Sequence, residues 1–319
     1  MLRAALLDLG LWTLYFPLRG LLCRLPVSAL DALGDVCGEA LFRLKTGERE
    51  ALIRFARLLV PGVGPQAERE ARDVARQGLR LFSKRQLEIL CCQRLNAAYV
   101  AELVTFEGLE HLRDALALGR GAVAVTAHFG PFLLGPMALG VLGFPVTQLT
   151  GPKRIDRLTP IQARVAAARN RRLDALPLSF QELGGHLKTI FRLLKQNSLV
   201  VVAFDGRESK DFERVDFLGR QANFSSGPFR LADRVKAPVL PLFTYRETGG
   251  RSRVVIEPPL ALARDADGGL DARAATQAFA TLFEKHVAAR PDHFVTTLLN
   301  MDRDIRLGIV KTPIFGQEP

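Results

Sequence analysis

Two titratable residues stand directly after short apolar runs of strand length. His128 follows residues 121–127 and precedes a glycine and a proline, and Asp205 ends the run 199–205. Ligand sites in α/β proteins form beyond the carboxyl ends of the strands, so we expect the imidazole and the carboxylate at the mouth of one cleft. The pair therefore predicts a candidate active site. The alternative is a hydrogen-bonded histidine in a turn and an aspartate that caps a helix.

The elements that must position these residues change in character at Gly119. Before it, residues 27–118 repeat apolar positions three and four apart, as helices do. After it, further apolar runs of strand length cover residues 144–149, 239–245 and 253–257, with helical patterns at residues 132–142, 155–173, 181–196, 227–235 and 271–289. Strands that alternate with helices indicate an α/β fold with a mixed, mostly parallel sheet flanked by helices. We divide the chain into residues 1–25, a helical region 26–104, an α/β core 105–300 and a tail 301–319.

The N-terminal 25 residues carry an apolar, aromatic run at positions 9–18, flanked by arginines. The run is about half of the roughly 20 residues that a spanning helix needs. No small-residue cleavage site follows it, which disfavours a signal peptide. We expect a helix that lies in the membrane interface, with aromatic side chains at headgroup depth. The alternative is an amphipathic helix that packs on the protein's own core.

The net charge of +11 over 319 residues indicates an anionic partner. Zinc-finger spacing and aromatic-rich strands with basic neighbours are absent, so the sequence disfavours nucleic acid. The four cysteines lack metal-ligand spacing, and the adjacent pair among them suits a disulfide poorly. We therefore expect buried, reduced thiols and no metal. The cysteines are Cys23, Cys37, Cys91 and Cys92.

An ordered set of blocks over residues 105–300 resembles the bacterial lipid A late acyltransferases, the lauroyl and myristoyl transferases. The blocks are Gly119-Arg120-Gly121, Thr126-Ala127-His128-Phe129-Gly130, Phe217-Leu218-Gly219, Phe224-Ser225-Ser226-Gly227 and Lys236-Ala237-Pro238-Val239-Leu240-Pro241. The resemblance implies a glycerolipid acyltransferase-like core. It also implies transfer of a fatty acyl chain from an acyl-carrier-protein or CoA thioester to a hydroxyl of a lipid or glycolipid, without a cofactor. The implied location is the cytoplasmic face of a bacterial inner membrane, as a peripheral or monotopic protein on an anionic membrane surface.

By the same resemblance, His128 is the general base that removes the hydroxyl proton, and Gly130 contributes to substrate binding. In the family an acidic residue five positions after the histidine orients it, but this chain has Leu133 there. We expect Asp205 to take over that role, because it should lie at the same edge of the sheet. The alternative function is a non-catalytic lipid-binding homologue that has lost the acidic partner.

A basic segment from Lys153 to Asp174 carries seven positive side chains against two aspartates. By resemblance, Arg169 and Asn170 are candidate contacts for a phosphate or headgroup, and we add Arg164 as a third substrate-binding candidate. The planar guanidinium of arginine suits this role because it binds two phosphate oxygens at once. The alternatives are a solvated helix face and a docking surface for an acidic carrier protein.

Overall fold

A computed structural model describes residues 2–151, 158–183, 187–206, 209 and 211–316, and the side chains from residue 5 onward. The helices before the sheet are α1 (Leu2–Thr13), α2 (Arg19–Leu22), α3 (Val27–Leu44), α4 (Thr46–Leu59), α5 (Pro65–Leu90) and α6 (Ala97–Leu103). The helices within and after it are α7 (Leu109–Ala117), α8 (Leu134–Val141), α9 (Pro160–Leu173), α10 (Leu187–Lys195), α11 (Gly227–Val235), α12 (Ala272–Ala289) and α13 (Val295–Arg306). The strands are β1 (Val104–Glu107), β2 (Ala122–Thr126), β3 (Val146–Thr150), β4 (Ser179–Glu182), β5 (Leu199–Ala203), β6 (Phe212–Phe217), β7 (Arg220–Ser225), β8 (Val239–Arg246) and β9 (Ser252–Ile256).

In the described residues, seven strands form one sheet in the order β1-β9-β8-β2-β5-β3-β4. All neighbours in this sheet pair in parallel except β8 and β9, which pair antiparallel. Strands β6 and β7 form a separate antiparallel hairpin. The predicted α/β fold, a mixed and mostly parallel sheet with a helical N-terminal region, is confirmed.

The central strands are apolar throughout because both faces of the sheet are covered. Val123 and Val125 of β2 belong to an apolar cluster on one face, whereas Ala122 and Ala124 belong to a cluster on the other face. This alternation follows from the two-residue period of a strand. The sheet therefore has no solvent-facing side in its centre, and polar chemistry is restricted to the ends of its strands.

The helical region packs closely because small residues line one of its contacts. A Cβ atom built on Gly38 of α3 would lie 2.3 Å from the Cα of Arg80 in α5. Glu39 lies beside this contact and accepts hydrogen bonds from Arg76 and Arg80. These hydrogen bonds, Arg76 first, lower the pKa of Glu39 to about 2. Close packing and ion pairs thus both hold α3 against α5.

Several short strands and one disulfide differ from the sequence expectations. Strand β1 lies inside the region expected to be helical, and β4 occupies the start of the helix expected at residues 181–196. Both are edge strands of four residues, too short to establish a two-residue period. The expectation of four reduced cysteines was wrong: Cys23 and Cys91 form a disulfide. The disulfide forms because the end of α2 packs on the end of α5. The adjacency of Cys91 and Cys92 argues only against a bond between those two residues.

Candidate active site

The structure brings His128 and Asp205 into direct contact at the carboxyl ends of β2 and β5. Atom Nδ1 of His128 lies 3.0 Å from Oδ1 of Asp205, and the backbone N–H of His128 donates to Oδ2 at 2.9 Å. The two strands pair in parallel with Thr126 opposite Ala203. Each titratable residue stands two positions beyond that last pair, so the strand register itself sets them side by side.

The environments of the two side chains differ in a way that suits proton transfer. The Asp205 side chain is fully buried, whereas 28% of the His128 side chain is exposed. Because the carboxylate accepts at Nδ1, the ring carries its proton there and leaves Nε2 as an acceptor. Among the described residues, none hydrogen-bonds Nε2. The edge of Phe132 packs on the imidazole with ring centroids 4.7 Å apart, and the Arg85 guanidinium lies 5.4 Å from the Phe132 ring.

The turn after His128 is held by the C-terminal part of the chain. The hydroxyl of Thr297 donates to the His128 carbonyl, and the Gly130 N–H donates to the His293 carbonyl at 2.9 Å. Gly130 has φ +58°, and a Cβ there would lie 2.4 Å from the Thr244 carbonyl oxygen and 2.5 Å from the His293 ring. Gly130 is buried. The close packing and the left-handed backbone account for the glycine, and its N–H is already used within the protein.

A second layer of hydrogen bonds fixes His293, which is 1% exposed. Its Nε2 accepts from the Arg246 N–H at 3.0 Å, and its Nδ1 lies 3.0 Å from the Asp292 carboxylate. Arg290 also donates to Asp292 through two nitrogens. Burial acts to raise the pKa of Asp292, but the hydrogen bonds from His293 and Arg290 outweigh it and hold the pKa well below its usual range. Burial lowers the pKa of His293, which favours a neutral ring.

Leu133 stands at the position where the resemblance implies an acidic partner for His128. It lines a cavity of about 60 Å³ that does not include His128. The lining combines apolar side chains with the charged residues Asp31, Lys84, Arg85, Glu88, Arg94 and Arg246. Leu133 itself packs against the apolar cluster that includes Leu134 and Met137. The side chain at this position is therefore placed for apolar packing, and the carboxylate that contacts His128 comes from β5.

The predicted substrate-binding residues other than Gly130 lie on α9. Arg164 and Arg169 are exposed and Asn170 is half-buried. Arg169 donates to the Asn170 side chain at 3.4 Å. Within the described part of the chain, no hydrogen bond or ion pair connects α9 to His128 or Asp205. Of the other positive residues of the basic segment, Arg171 and Arg172 also belong to α9. Lys153, Arg154 and Arg157 lie outside the described residues.

Helix α9 packs instead on the N-terminal helices. Gln162 donates to Asp8 of α1 at 2.8 Å, and the Arg172 guanidinium lies 6.0 Å from the Tyr15 ring. A π-helical turn, Leu14–Leu18, joins α1 to α2. One side of this segment reaches an apolar cluster with Leu30, Leu87, Leu90 and Cys91, to which it contributes Leu14, Tyr15, Leu22 and Cys23. This side of the segment therefore packs on the protein, as the second of the two sequence-based alternatives predicts.

The opposite side of the N-terminal segment is apolar and uncovered. The exposed large side chains are Leu6, Leu7, Leu9, Trp12, Phe16, Leu18 and Leu21. By length and composition, the window Ala5–Leu22 is apolar enough to cross a membrane, and only 6% of it is buried. The helical structure extends beyond the apolar run at residues 9–18 in both directions. Exposed apolar area of this kind marks a binding surface.

Thr297, His293 and Phe132 were not singled out from the sequence as site residues. Thr297 and His293 lie about 170 residues from His128, and no local spacing indicates such a contact. The one available signal was the block Pro291-Asp292-His293-Phe294, which Val295-Thr296-Thr297 follows where the resembling family tends to have Trp and Arg.

Comparisons with known proteins show the family of this chain. The model of the bacterial lipid A biosynthesis acyltransferase family matches residues 3–298. A phosphatidylinositol mannoside acyltransferase of Mycobacterium tuberculosis is 29% identical over 187 residues, 58% of this chain and 55% of the relative. The enzyme of the same description from Mycolicibacterium smegmatis is 25% identical over 222 residues, 69% of each chain. The chain thus spans about half the length of the M. tuberculosis relative.

Proposed function

Since the chain belongs to the bacterial lipid A biosynthesis acyltransferase family, we propose that it transfers a fatty acyl chain from a thioester to a hydroxyl of a lipid or glycolipid. The observation that carries this proposal is the contact between His128 and Asp205 at the carboxyl ends of two paired strands. A buried carboxylate on one imidazole nitrogen, with the other nitrogen turned outward, is the arrangement of a general base.

In the proposed mechanism, Nε2 of His128 takes the proton of the acceptor hydroxyl while the hydroxyl oxygen attacks the thioester carbonyl carbon. The carbonyl π electrons move to oxygen and form a tetrahedral intermediate. As the carbonyl re-forms, the C–S bond breaks, and the leaving thiolate takes the proton back from Nε2. Asp205 stabilises the transient imidazolium and holds its tautomer, without itself becoming protonated. Atoms and charges balance without a metal or cofactor.

For the acceptor, a glycolipid is favoured by the relatives, which are described as phosphatidylinositol mannoside acyltransferases. For the donor, acyl-carrier protein and CoA both supply a thioester of the required kind. An acidic carrier protein would suit the exposed arginines of α9, and so would a phosphate of a lipid headgroup. We assign Arg164, Arg169 and Asn170 to this docking role.

We further propose that the protein sits on the cytoplasmic face of a bacterial inner membrane. The support is the uncovered apolar side of the N-terminal segment and the contact of the basic helix α9 with α1 through Gln162 and Asp8. Such a surface combines apolar insertion with attraction to anionic lipid. A protein bound there would have access both to lipid acceptors in the membrane and to a thioester donor in the cytoplasm.

The second candidate function is lipid binding without catalysis, and Leu133 is the observation that favours it. A leucine cannot accept the imidazole N–H. Asp205 already occupies Nδ1 of His128, however, so an acid at position 133 is not required to orient the ring. We therefore favour the enzyme.

The test uses the full-length protein in detergent with a radiolabelled acyl thioester, on either CoA or carrier protein, and a bacterial lipid extract. Transfer of label to lipid, abolished by His128→Ala and retained by His111→Ala, is the expected result. His111 is the matched control because it is also half-buried and bonds only a backbone carbonyl, that of Ile256. Lipid binding without any transfer from either donor would overturn the enzyme in favour of the binding protein. Mass-spectrometric comparison of lipids from cells with and without the protein would identify the product.

A further inference from the structure

The turn that carries His128 is fixed from a distant part of the chain. Thr297 lies in the first turn of α13, and its hydroxyl donates to the His128 carbonyl across 169 residues of sequence. A threonine in a helix ordinarily bonds its hydroxyl to a carbonyl of the preceding turn. Thr276 of α12 does so, through the Ala272 carbonyl. The hydroxyl of Thr297 is instead directed out of its own helix.

We propose that Thr297 is a positioning residue for acyl transfer, and this inference rests on the proposed role of His128 as general base. The backbone of His128 is held at both polar groups: its N–H donates to Asp205, and its carbonyl accepts from Thr297. These two bonds fix the main chain from which the imidazole reaches Oδ1 of Asp205. The Thr297 hydroxyl thus acts on the ring through the main chain.

Helix α13 is well suited to act as the fixed partner in this contact. Thr297 is 4% exposed, and the neighbouring Val295 and Leu298 belong to the core cluster on that face of the sheet. His293, just before the helix, holds Gly130 through its carbonyl and is itself bonded to Arg246 and Asp292. The residues that hold the turn, Thr297 and His293, are therefore both buried and hydrogen-bonded.

The test compares Thr297→Val, which removes the hydroxyl at nearly constant volume, with Thr297→Ser, which keeps it. The matched control is Thr276→Val, which removes another buried threonine hydroxyl that donates to a main-chain carbonyl, in this case within its own helix. We expect kcat of Thr297→Val to fall about ten- to hundredfold, as for small misplacements of a catalytic group. We expect KM within about twofold of wild type, kcat of Thr297→Ser within about threefold, and kcat of Thr276→Val near wild type.

An NMR measurement of the His128 tautomer tests the positioning role of Thr297 without an activity assay. In protein labelled with 15N-histidine, the His128 signal is identified by its loss in His128→Ala. We expect one tautomer, with the proton on Nδ1, in wild type and Thr297→Ser, and a mixture in Thr297→Val. Equal kcat in Thr297→Val and Thr276→Val, or an unchanged His128 tautomer, would overturn the proposal. An inactive wild type would overturn the proposed function instead, and the tautomer would still decide the role of Thr297.

Discussion

Asp205 holds His128 at two points, accepting from the backbone N–H with Oδ2 and lying 3.0 Å from ring Nδ1 with Oδ1. A single buried carboxylate therefore fixes both where the residue sits and which ring nitrogen carries the proton. An asparagine could keep only one of these two contacts, because its amide has one accepting oxygen and its NH2 group would face the other N–H donor. It also carries no charge to stabilise an imidazolium.

The Asp205→Asn variant removes the negative charge and one of the two accepted hydrogen bonds. We expect it to retain lipid binding and to lose acyl transfer by about ten- to a thousandfold, whereas His128→Ala loses roughly two to four orders of magnitude. The measurement is kcat with lipid binding to vesicles in parallel. Folding, checked by circular dichroism, should survive in His128→Ala because its ring is partly exposed. Full activity in Asp205→Asn would remove Asp205 from the mechanism.

Leu133→Glu, which introduces the acid found in the resembling proteins, should fail to raise activity. Leu133 lines a cavity that does not include His128, and Asp205 already occupies Nδ1. The substitution also removes an apolar side chain that packs against a core cluster, so we expect a destabilisation of roughly 1–3 kcal/mol. Thermal melting and kcat are measured beside Leu133→Met, which keeps an apolar side chain of similar volume. A rise in kcat would show that the side chain at position 133 reaches the imidazole.

The exposed side of the N-terminal segment should determine membrane binding. Replacing Leu6, Leu7 and Trp12 together by Ser should weaken sedimentation with anionic vesicles by at least about tenfold, because each lost apolar side chain removes buried area. Substitution is sharper than deletion, since Tyr15, Leu22 and Cys23 pack on the protein. The matched control replaces Val63, Leu118 and Leu307, exposed apolar residues on other elements, by Ser. Equal binding by both triple variants would contradict a membrane role for this surface.

His286 should make the fold sensitive to mild acid. Its Nδ1 accepts from the Tyr245 hydroxyl, and its Nε2 lies 3.2 Å from Glu257. Burial, aided by the charges of Arg253 and Lys285, lowers the pKa of His286 to about 4. Because the unfolded histidine titrates near pH 6.5, the unfolded state binds more protons between pH 6.5 and 4, so stability falls as pH falls through this window.

The loss from this residue is at most about 3 kcal/mol, and the Glu257 carboxylate reduces it by favouring the protonated ring. Denaturant unfolding at pH 7.5 and pH 4.5 measures it. His286→Gln, which does not titrate, should be less stable than wild type at pH 7.5 and lose less stability at pH 4.5. Identical pH dependence in the two proteins would show that other groups control acid unfolding.

The sheet and the proximity of His128 to Asp205 could be predicted from the sequence because each depends on a local pattern. Strands β2 and β5 are unbroken apolar runs, and His128 and Asp205 follow them directly. Thr297 and His293 were not accessible, because their contacts join segments about 170 residues apart. The Cys23–Cys91 disulfide has the same cause at a separation of 68 residues. Chain pairing at that distance is decided by tertiary packing, which spacing does not encode.

The register of β2 on β5 also determines which changes the site can tolerate. Because main-chain pairing places His128 opposite Asp205, apolar side chains on the two strands can be exchanged at constant volume without moving either group. Loss of one residue within either strand would instead turn the following side chain to the opposite face of the sheet. The geometry of the site therefore tolerates substitutions within the two strands but not a change in strand length. A relative of low identity can keep the contact between these two positions if β2 and β5 keep their register.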